Sequence, residues 1–329
     1  MPERNINHFE GCFFLTHSRF TPYLVLLCGV TIAATSSILV RMAQGEAVPS
    51  VAIATWRLIF ASVVLLPLAW NRRSDELRAL QPRDILLGGA AGIFLGIHLA
   101  TWIYSLEFTS VASSAALVTT TPLWIAMSVF FFYGERLSRF TIIGLIAALI
   151  GGVLVAFSDG GVLVIEAGSL NFNGQNLIAP AGKADTALFG DMLALVGAFM
   201  ATAYLLVGRN LRQHLSTLTY VWLVYTAAMV ALVGFSLVSG PTLGGYSWLA
   251  YLWIFLLAAG PQLIGHTSFN WSLAHLSTTF VSLAILGEPV GSAIFAYFLL
   301  GETFAFIQLV GFVLLLIGIG LGALGEQQA

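Results

Sequence analysis

Charged residues are scarce in this sequence. Asp, Glu, Lys and Arg make up only 9% of the 329 residues, whereas soluble domains carry roughly 25%. Hydrophobic residues make up 58%, and the mean hydropathy is +0.92. The net charge of −2 provides no basic field for nucleic acid. The composition therefore excludes an ordinary soluble domain and a nucleic-acid-binding protein, and it makes the lipid bilayer the expected environment.

Cysteines and enzyme motifs are also missing. Cys12 and Cys28 are too few for a disulfide framework or a cysteine metal site, so we expect neither a metal nor a cofactor. The sequence has no His-Glu-x-x-His, no Gly-x-x-x-x-Gly-Lys-Ser/Thr and no Gly-x-Ser-x-Gly. The sequence thus provides no recognisable site at which the protein would hydrolyse a nucleotide. The N-terminal tail lacks a signal-peptide pattern, and we expect it to be retained.

What the sequence has in abundance is long apolar stretches. Each is about 20 residues, enough for a helix to cross ~30 Å of hydrocarbon. Turn signals rich in proline and glycine separate them. The predicted membrane helices cover residues 22–41, 50–70, 85–106, 112–133, 139–157, 187–208, 217–238, 248–271, 278–300 and 304–324.

An internal repeat relates residues 98–154 to 265–321 at a constant offset of 167 without gaps, so that Pro122 falls on Pro289. An odd number of spans in each copy would turn the second copy upside down, as in many secondary transporters. We therefore predict an all-α membrane protein with ten transmembrane helices arranged as two inverted five-helix repeats. Its predicted parts are a cytoplasmic tail (1–21), the first repeat (22–157), an extracytoplasmic connector without clear periodicity (158–186), the second repeat (187–324) and a cytoplasmic tail (325–329).

The arginines predict the orientation. In a ten-span chain, most of them fall on one side of the membrane, which the positive-inside rule makes the cytoplasmic side. The other side holds only Arg41, at a span end, and Lys183 in the connector. We expect a multi-pass protein of the plasma (inner) membrane with both termini in the cytoplasm. The arginines on the cytoplasmic side are Arg4, Arg19, Arg72, Arg73, Arg78, Arg83, Arg136, Arg139, Arg209 and Arg212.

Two predicted spans carry polar stripes. Gln262, His266 and Asn270 are spaced by four residues in span 8, so they would share one face of an α-helix. Span 3 carries a similar stripe with His98 and Trp102. Hydrogen bonding between helices explains any one of these residues. Two stripes in symmetry-related spans favour a solvated cavity, because a polar face turned to lipid is expensive.

Glu288 is the one acidic residue predicted deep in a span, near the middle of span 9 and before Pro289. A carboxylate at that depth costs several kcal/mol unless it is protonated, paired or wet. This suits a group that takes up and releases a coupling proton. A structural acid hydrogen-bonded to a neighbouring helix is the alternative. The equivalent residue of the first repeat is the uncharged Thr121, and this asymmetry favours a functional role.

Arg57 is predicted to lie ~10 Å deep in span 2. Three interpretations stay open. The side chain can snorkel to the interface, pair with Glu288 or hold an anionic solute.

These features together resemble the EamA-type permeases of the drug/metabolite transporter superfamily. The resemblance extends from about residue 22 to 324. It implies a basket of helices around a central cavity lined by spans 1, 3, 4, 6, 8 and 9. The residues that carry it are Arg57, the run His98-x-x-x-Trp102-x-x-Ser105-Leu106, the segment from Ala112 to Pro122 with Gly134-Glu135-Arg136, Gly190-Asp191, Gly265-His266, Asn270-Trp271, Glu288-Pro289 and Gly301-Glu302.

We therefore expect a secondary transporter, not an enzyme, which moves a small organic solute such as a metabolite, amino acid or drug-like molecule by alternating access. A sugar-phosphate or nucleotide-sugar antiporter is the alternative within transport, although it would need more cations in the cavity than Arg57. A membrane-embedded enzyme or lipid-handling protein is the alternative from another class. The predicted cavity residues are His98, Trp102, Thr121, His266, Asn270 and Glu288.

Overall fold

The computed structural model describes residues 20–105, 108, 117–118, 120–159, 163–166, 169–172, 184–240, 242–300 and 306–326. The first half contains six helices: α1 (Thr21–Ala33), α2 (Ser36–Gly45), α3 (Ser50–Arg78), α4 (Pro82–Ser105), α5 (Thr121–Tyr133) and α6 (Arg139–Asp159). The second half contains α7 (Ala184–Leu211), α8 (Thr217–Ser239), α9 (Trp248–Leu257), a π-helical segment (Ala258–His266), α10 (Thr267–Ser272), α11 (Thr278–Ile285), α12 (Glu288–Leu300) and α13 (Phe306–Glu326).

Local signals in the sequence account for several helix ends. Ser216, Ser247 and Ser277 are N-caps, and each side-chain oxygen accepts a hydrogen bond from the backbone N–H three residues on. Gly134 and Gly240 end α5 and α8 with φ of 67° and 84°, a left-handed conformation that glycine adopts without strain. These residues mark where the helices begin and end.

The surface of the molecule is apolar. Leu86 is 72% exposed, Phe132 is 83% exposed and Val238 is 89% exposed, and many other large hydrophobic side chains are exposed as well. A soluble monomer rarely exposes so much contiguous apolar surface. Eight helical stretches of the described chain are long and apolar enough to cross a membrane. The protein is therefore an integral, multi-pass membrane protein.

Two predicted spans are represented by shorter apolar helices. These are Thr121–Tyr133 and Arg139–Leu154. The first residues of predicted span 4, 112–116, and the Gly301-Glu302 pair lie outside the described residues. The ten-span count therefore remains a prediction.

The connector differs from the prediction. Leu163–Glu166 and Ser169–Phe172 form a two-stranded antiparallel hairpin, with Leu163 opposite Phe172. The hydrophobic, β-branched Val164-Ile165 pair suits a strand, but four residues are too few to produce a periodic signal. Helix α7 begins at Ala184, inside the range predicted for the connector. The all-α prediction thus holds for the membrane helices and is wrong for this short hairpin.

The first and last residues of four helices follow the internal sequence repeat. Helix α5 starts at Thr121 and α12 at Glu288, and both are 13 residues long. Helices α6 and α13 are both 21 residues long. In both pairs the two helices begin and end at positions that differ by 167. The sequence repeat is therefore also a repeat of secondary structure.

Helices α6 and α13 pack closely through glycines. A Cβ at Gly144 would lie 2.5 Å from the carbonyl oxygen of Gly318, and a Cβ at Gly151 would lie 2.6 Å from that of Gly311. Contacts that move forward along α6 while they move backward along α13 mean that the two helices run antiparallel. Backbones can approach this closely only where small residues line the contact.

Candidate functional site

Three predicted spans are interrupted in the structure. Span 1 breaks between Ala33 and Ser36, span 9 breaks between Ile285 and Glu288, and span 8 contains the nine-residue π-helical segment. The interruptions of spans 1 and 8 were not predicted, and the sequence indicated a bend only in span 9, at Pro289. Irregular backbone at membrane depth is tolerated only where protein surrounds it or where it lines a cavity. The interruptions therefore mark the interior of the protein as the place to look for a site.

The breaks in spans 1 and 9 lie against each other. The Ser292 hydroxyl, in the second turn of α12, donates a hydrogen bond of 2.7 Å to the carbonyl oxygen of Ala34, which lies in the first break. A Cβ at Gly291 would come within 2.6 Å of the Ala34 Cβ. This side-chain hydrogen bond satisfies a carbonyl in the interrupted region. The start of α12 is thus tied to the middle of span 1.

Glu288 lies inside span 9 and is the first residue of α12, directly after the break in that span. Its side chain is half-buried. An acidic residue in the first turn is favoured by the helix dipole. Thr121 occupies the same position in α5, is also half-buried, and donates a hydrogen bond of 2.8 Å to the Val118 carbonyl. The repeat therefore places two equivalent helix starts in the protein, of which only one is charged.

Arg57 lies in the interior with its side chain 1% exposed, so the snorkelling interpretation was wrong. Its Nε donates a hydrogen bond of 2.6 Å to Oε1 of Gln262, in the π-helical segment. Among the described residues, no ion pair within 4.0 Å joins Arg57 to Glu288. Direct pairing, one of the three interpretations of Arg57, is therefore absent from this conformation, although the two charges attract each other through space.

The two histidines lie in the same electrostatic neighbourhood as Arg57. The charge of Arg57 acts on both His98 and His266, and the two histidines act on each other. Both imidazoles are half-buried, as is Glu288. Spans 2, 3, 8 and 9 thus bring four ionisable groups together inside the protein, and three of the four retain some accessible surface.

His98 is held by its neighbours. Nδ1 donates a hydrogen bond of 2.9 Å to the Gly197 carbonyl on α7, because a carbonyl can only accept. This leaves Nε2 of the neutral imidazole as an acceptor. The imidazole stacks on Trp102, with ring centroids 6.3 Å apart and an interplanar angle of 4°. His98 and Trp102, which the sequence places on one polar stripe of span 3, therefore form a stacked, half-buried pair of rings.

Asn270 belongs to a buried hydrogen-bond network. It is fully buried, and its Oδ1 accepts a hydrogen bond of 2.6 Å from the hydroxyl of Tyr204. Its Nδ2 donates to the Tyr225 hydroxyl at 3.4 Å, and that hydroxyl donates at 3.2 Å to the carbonyl of Gln262. The π-helical segment changes the turn between Gln262 and His266, so the predicted single polar face is divided between buried and half-exposed environments.

Sequence reasoning missed two kinds of site-supporting residue. Tyr204 and Tyr225 lie in the middle of apolar spans, where a tyrosine hydroxyl needs a partner, and this is a signal that could have been used. Arg212 was interpreted only as a cytoplasmic charge. It is 7% exposed and its Nε donates to the Asn270 carbonyl at 3.0 Å. Burial lowers the pKa of Arg212 to about 10, so the side chain stays charged at neutral pH.

Comparison with known proteins identifies the class. Residues 20–157 and 188–323 each match the model of the EamA-like transporter family. The matches cover most of the chain, and the protein belongs to this family.

Individual relatives are distant. A Bacillus subtilis (strain 168) protein named "Uncharacterized transporter YetK" is 24% identical over 95% of this chain and 90% of its own. A Salmonella typhimurium protein named "Probable amino-acid metabolite efflux pump" is 27% identical over 82% of this chain and 86% of its own. A solved crystal structure superposes with a TM-score of 0.74 at 17% identity, over 94% of this chain and 99% of that one. This last likeness supports the fold alone.

Proposed function

We propose that the protein is a secondary transporter that moves a small organic solute across the plasma (inner) membrane by alternating access. The observation that carries this proposal is the convergence of Arg57, His98, His266 and Glu288 inside the protein. Interrupted helices beside these residues support it, because transporters bind solutes at discontinuous helices near the midplane. His98 and Trp102 would form one wall of the cavity.

Solute counterflow in proteoliposomes tests the proposal. Vesicles loaded with an unlabelled solute should take up the same labelled solute transiently against its concentration difference. The name of the Salmonella relative makes amino acids and their metabolites the first panel to test. Absence of counterflow for amino acids, organic acids, amines and drug-like cations, in vesicles where a control carrier works, would contradict the proposal.

We further propose that residues 22–157 and 187–324 are inverted repeats, with the connector 158–186 outside and both termini in the cytoplasm. The antiparallel contact between α6 and α13 supports this arrangement. Gly144 and Gly311 are equivalent positions, and so are Gly151 and Gly318. Exchanging the two copies therefore converts the Gly144–Gly318 contact into the Gly311–Gly151 contact. Antiparallel packing of equivalent helices is what inversion requires.

Cysteine labelling tests this topology. In a chain with Cys12 and Cys28 replaced by serine, Ala79→Cys lies in the exposed turn between α3 and α4, and Gly244→Cys lies between α8 and α9. An impermeant thiol reagent should label Gly244→Cys in intact cells and Ala79→Cys only after the membrane is opened. Labelling of Ala79→Cys in intact cells would rule out the proposed orientation.

Trp102→Ala tests the cavity wall. The substitution removes the ring that stacks on His98, and we expect counterflow to fall by about ten-fold or more while membrane insertion is retained. Trp271→Ala is the matched control, because Trp271 is also half-buried and also stacks on a histidine, His275, close to the turn before α11. Equal counterflow in the two variants would show that Trp102 only packs helices.

A further inference from the structure

Two neighbouring side chains of the interior each have a hydrogen-bond donor without an acceptor among the described residues. Nη2 of Arg57 and Nε2 of Gln262 are both buried, and no acceptor among the described residues lies within hydrogen-bond distance of either. The two side chains are 1% and 0% exposed. Buried donors are almost always paired, and one left without a protein partner calls for an explanation such as an ion, a ligand or a water. Here two such donors belong to side chains that are hydrogen-bonded to each other.

The position of the two donors follows from the hydrogen bond between Arg57 and Gln262. Arg57 Nε donates to Gln262 Oε1 at 2.6 Å. In a planar guanidinium, Nε–H and one N–H of Nη2 point along the same edge, and in an amide Oε1 and Nε2 share one carbon. Turning the amide over would set Nε2 against Nε, donor against donor, so the amide orientation is determined. The two donors without an acceptor therefore both lie next to the Arg57–Gln262 hydrogen bond.

The charge at this point is positive. Arg57 carries a full charge, and its Nη2 N–H groups add charge-assisted donors beside the neutral amide of Gln262. The carboxylate of Glu288 attracts Arg57 through space without touching it. A singly charged acceptor suits this balance better than a dianion, because the nearby negative charge of Glu288 opposes a second charge on the ligand.

We propose that Arg57 and Gln262 form a carboxylate-binding subsite of the solute cavity. One carboxylate group accepts hydrogen bonds from Nη2 of Arg57 and Nε2 of Gln262. The rest of the solute lies toward the half-exposed His98, His266 and Glu288. This inference rests on the proposed transport function and narrows its solutes to those that carry a free carboxylate.

The test uses three probes with the same aliphatic body: L-leucine, isovalerate, which lacks the amino group, and L-leucinamide, which lacks the carboxylate. Purified protein in detergent is heated with each probe, and with inorganic phosphate, at constant ionic strength. Leucine and isovalerate should raise the apparent Tm by about 2–5 °C, and leucinamide should not. An equal shift with the amide, no shift with either acid, or a larger shift with phosphate would overturn the proposal. No shift with either acid is the result expected if water alone satisfies the two donors.

Gln262→Glu adds a matched variant. It keeps an acceptor for Arg57 Nε but replaces the amide donor with a carboxylate oxygen that repels the ligand. The isovalerate concentration for a half-maximal Tm shift should rise by about ten-fold or more. A response like that of the wild type would overturn the proposal. If the variant does not fold, the acid–amide comparison on the wild type still decides. If solutes without a carboxylate show counterflow, and Gln262→Glu does not diminish it, the subsite is rejected but the transport function stands. If no solute shows counterflow, the transport function is rejected.

Discussion

Glu288→Gln should abolish accumulation driven by a pH gradient and spare the exchange of solute for solute. Glutamine keeps the size and much of the hydrogen bonding of the acid but cannot titrate. Glu288 starts α12 beside the break in span 1, is half-buried, and has the charge of Arg57 nearby without direct contact. A carboxyl group in this position can lose and regain a proton as the cavity changes its access. We propose that it couples solute movement to protons.

The measurement is uptake into proteoliposomes with and without an imposed pH gradient. Asp75→Asn is the control, because it also converts an acid to its amide but lies exposed near the end of α3. Gradient-driven accumulation that survives in Glu288→Gln would reject proton coupling and leave a structural acid. If accumulation and exchange fall together, Glu288 binds the solute directly.

Gly318→Leu should lower the stability of the protein far more than the same substitution at Gly320, a glycine of α13 that has open space around it. A Cβ at this position would lie 2.5 Å from the Gly144 carbonyl oxygen and 2.7 Å from the Ala148 amide nitrogen. Both are backbone atoms, so the helices must separate to admit the side chain. Overpacking of this kind costs about 1–3 kcal/mol. The contact joins α6 to α13, so its loss weakens the attachment between the two halves.

The apparent Tm of purified protein in detergent provides the measurement. Gly320→Leu is the matched control on the same helix, since a Cβ there would meet no heavy atom within 4 Å. We expect the Gly320 variant to melt close to the wild type and the Gly318 variant well below it. Equal melting of the two variants would mean that α6 and α13 are not packed through these glycines.

Much of the architecture was predictable because it depends on local features. The composition indicates a membrane protein. The offset of 167 aligns α5 with α12 and α6 with α13. The breaks in spans 1 and 8 were not predicted, whereas Pro289 indicated a bend in span 9. The spans as a whole are apolar on both sides of each break, so average hydropathy does not distinguish an interrupted helix from a continuous one.

The site was predictable in part. The sequence singled out Arg57, His98, His266 and Glu288, because an ionisable residue in an apolar span is costly unless it has a role. It did not determine their partners. Asn270 was placed with the cavity residues, yet it is buried in a network with Tyr204 and Tyr225. Hydrogen-bond partners depend on which helices become neighbours, and that information is spread over the whole chain.

The sequence by itself therefore determined the class of protein and the ionisable residues of the interior, since hydrophobicity and charge are read within about 20 residues. It also determined the repeat, since residues 98–154 align with 265–321 without gaps. Only the tertiary structure decided that Arg57 is paired with Gln262, two residues 205 positions apart. It also decided that Nη2 of Arg57 and Nε2 of Gln262 have no acceptor among the described residues. Such contacts form when distant helices pack, and their geometry depends on the approach of backbones, which side-chain chemistry along the sequence does not specify.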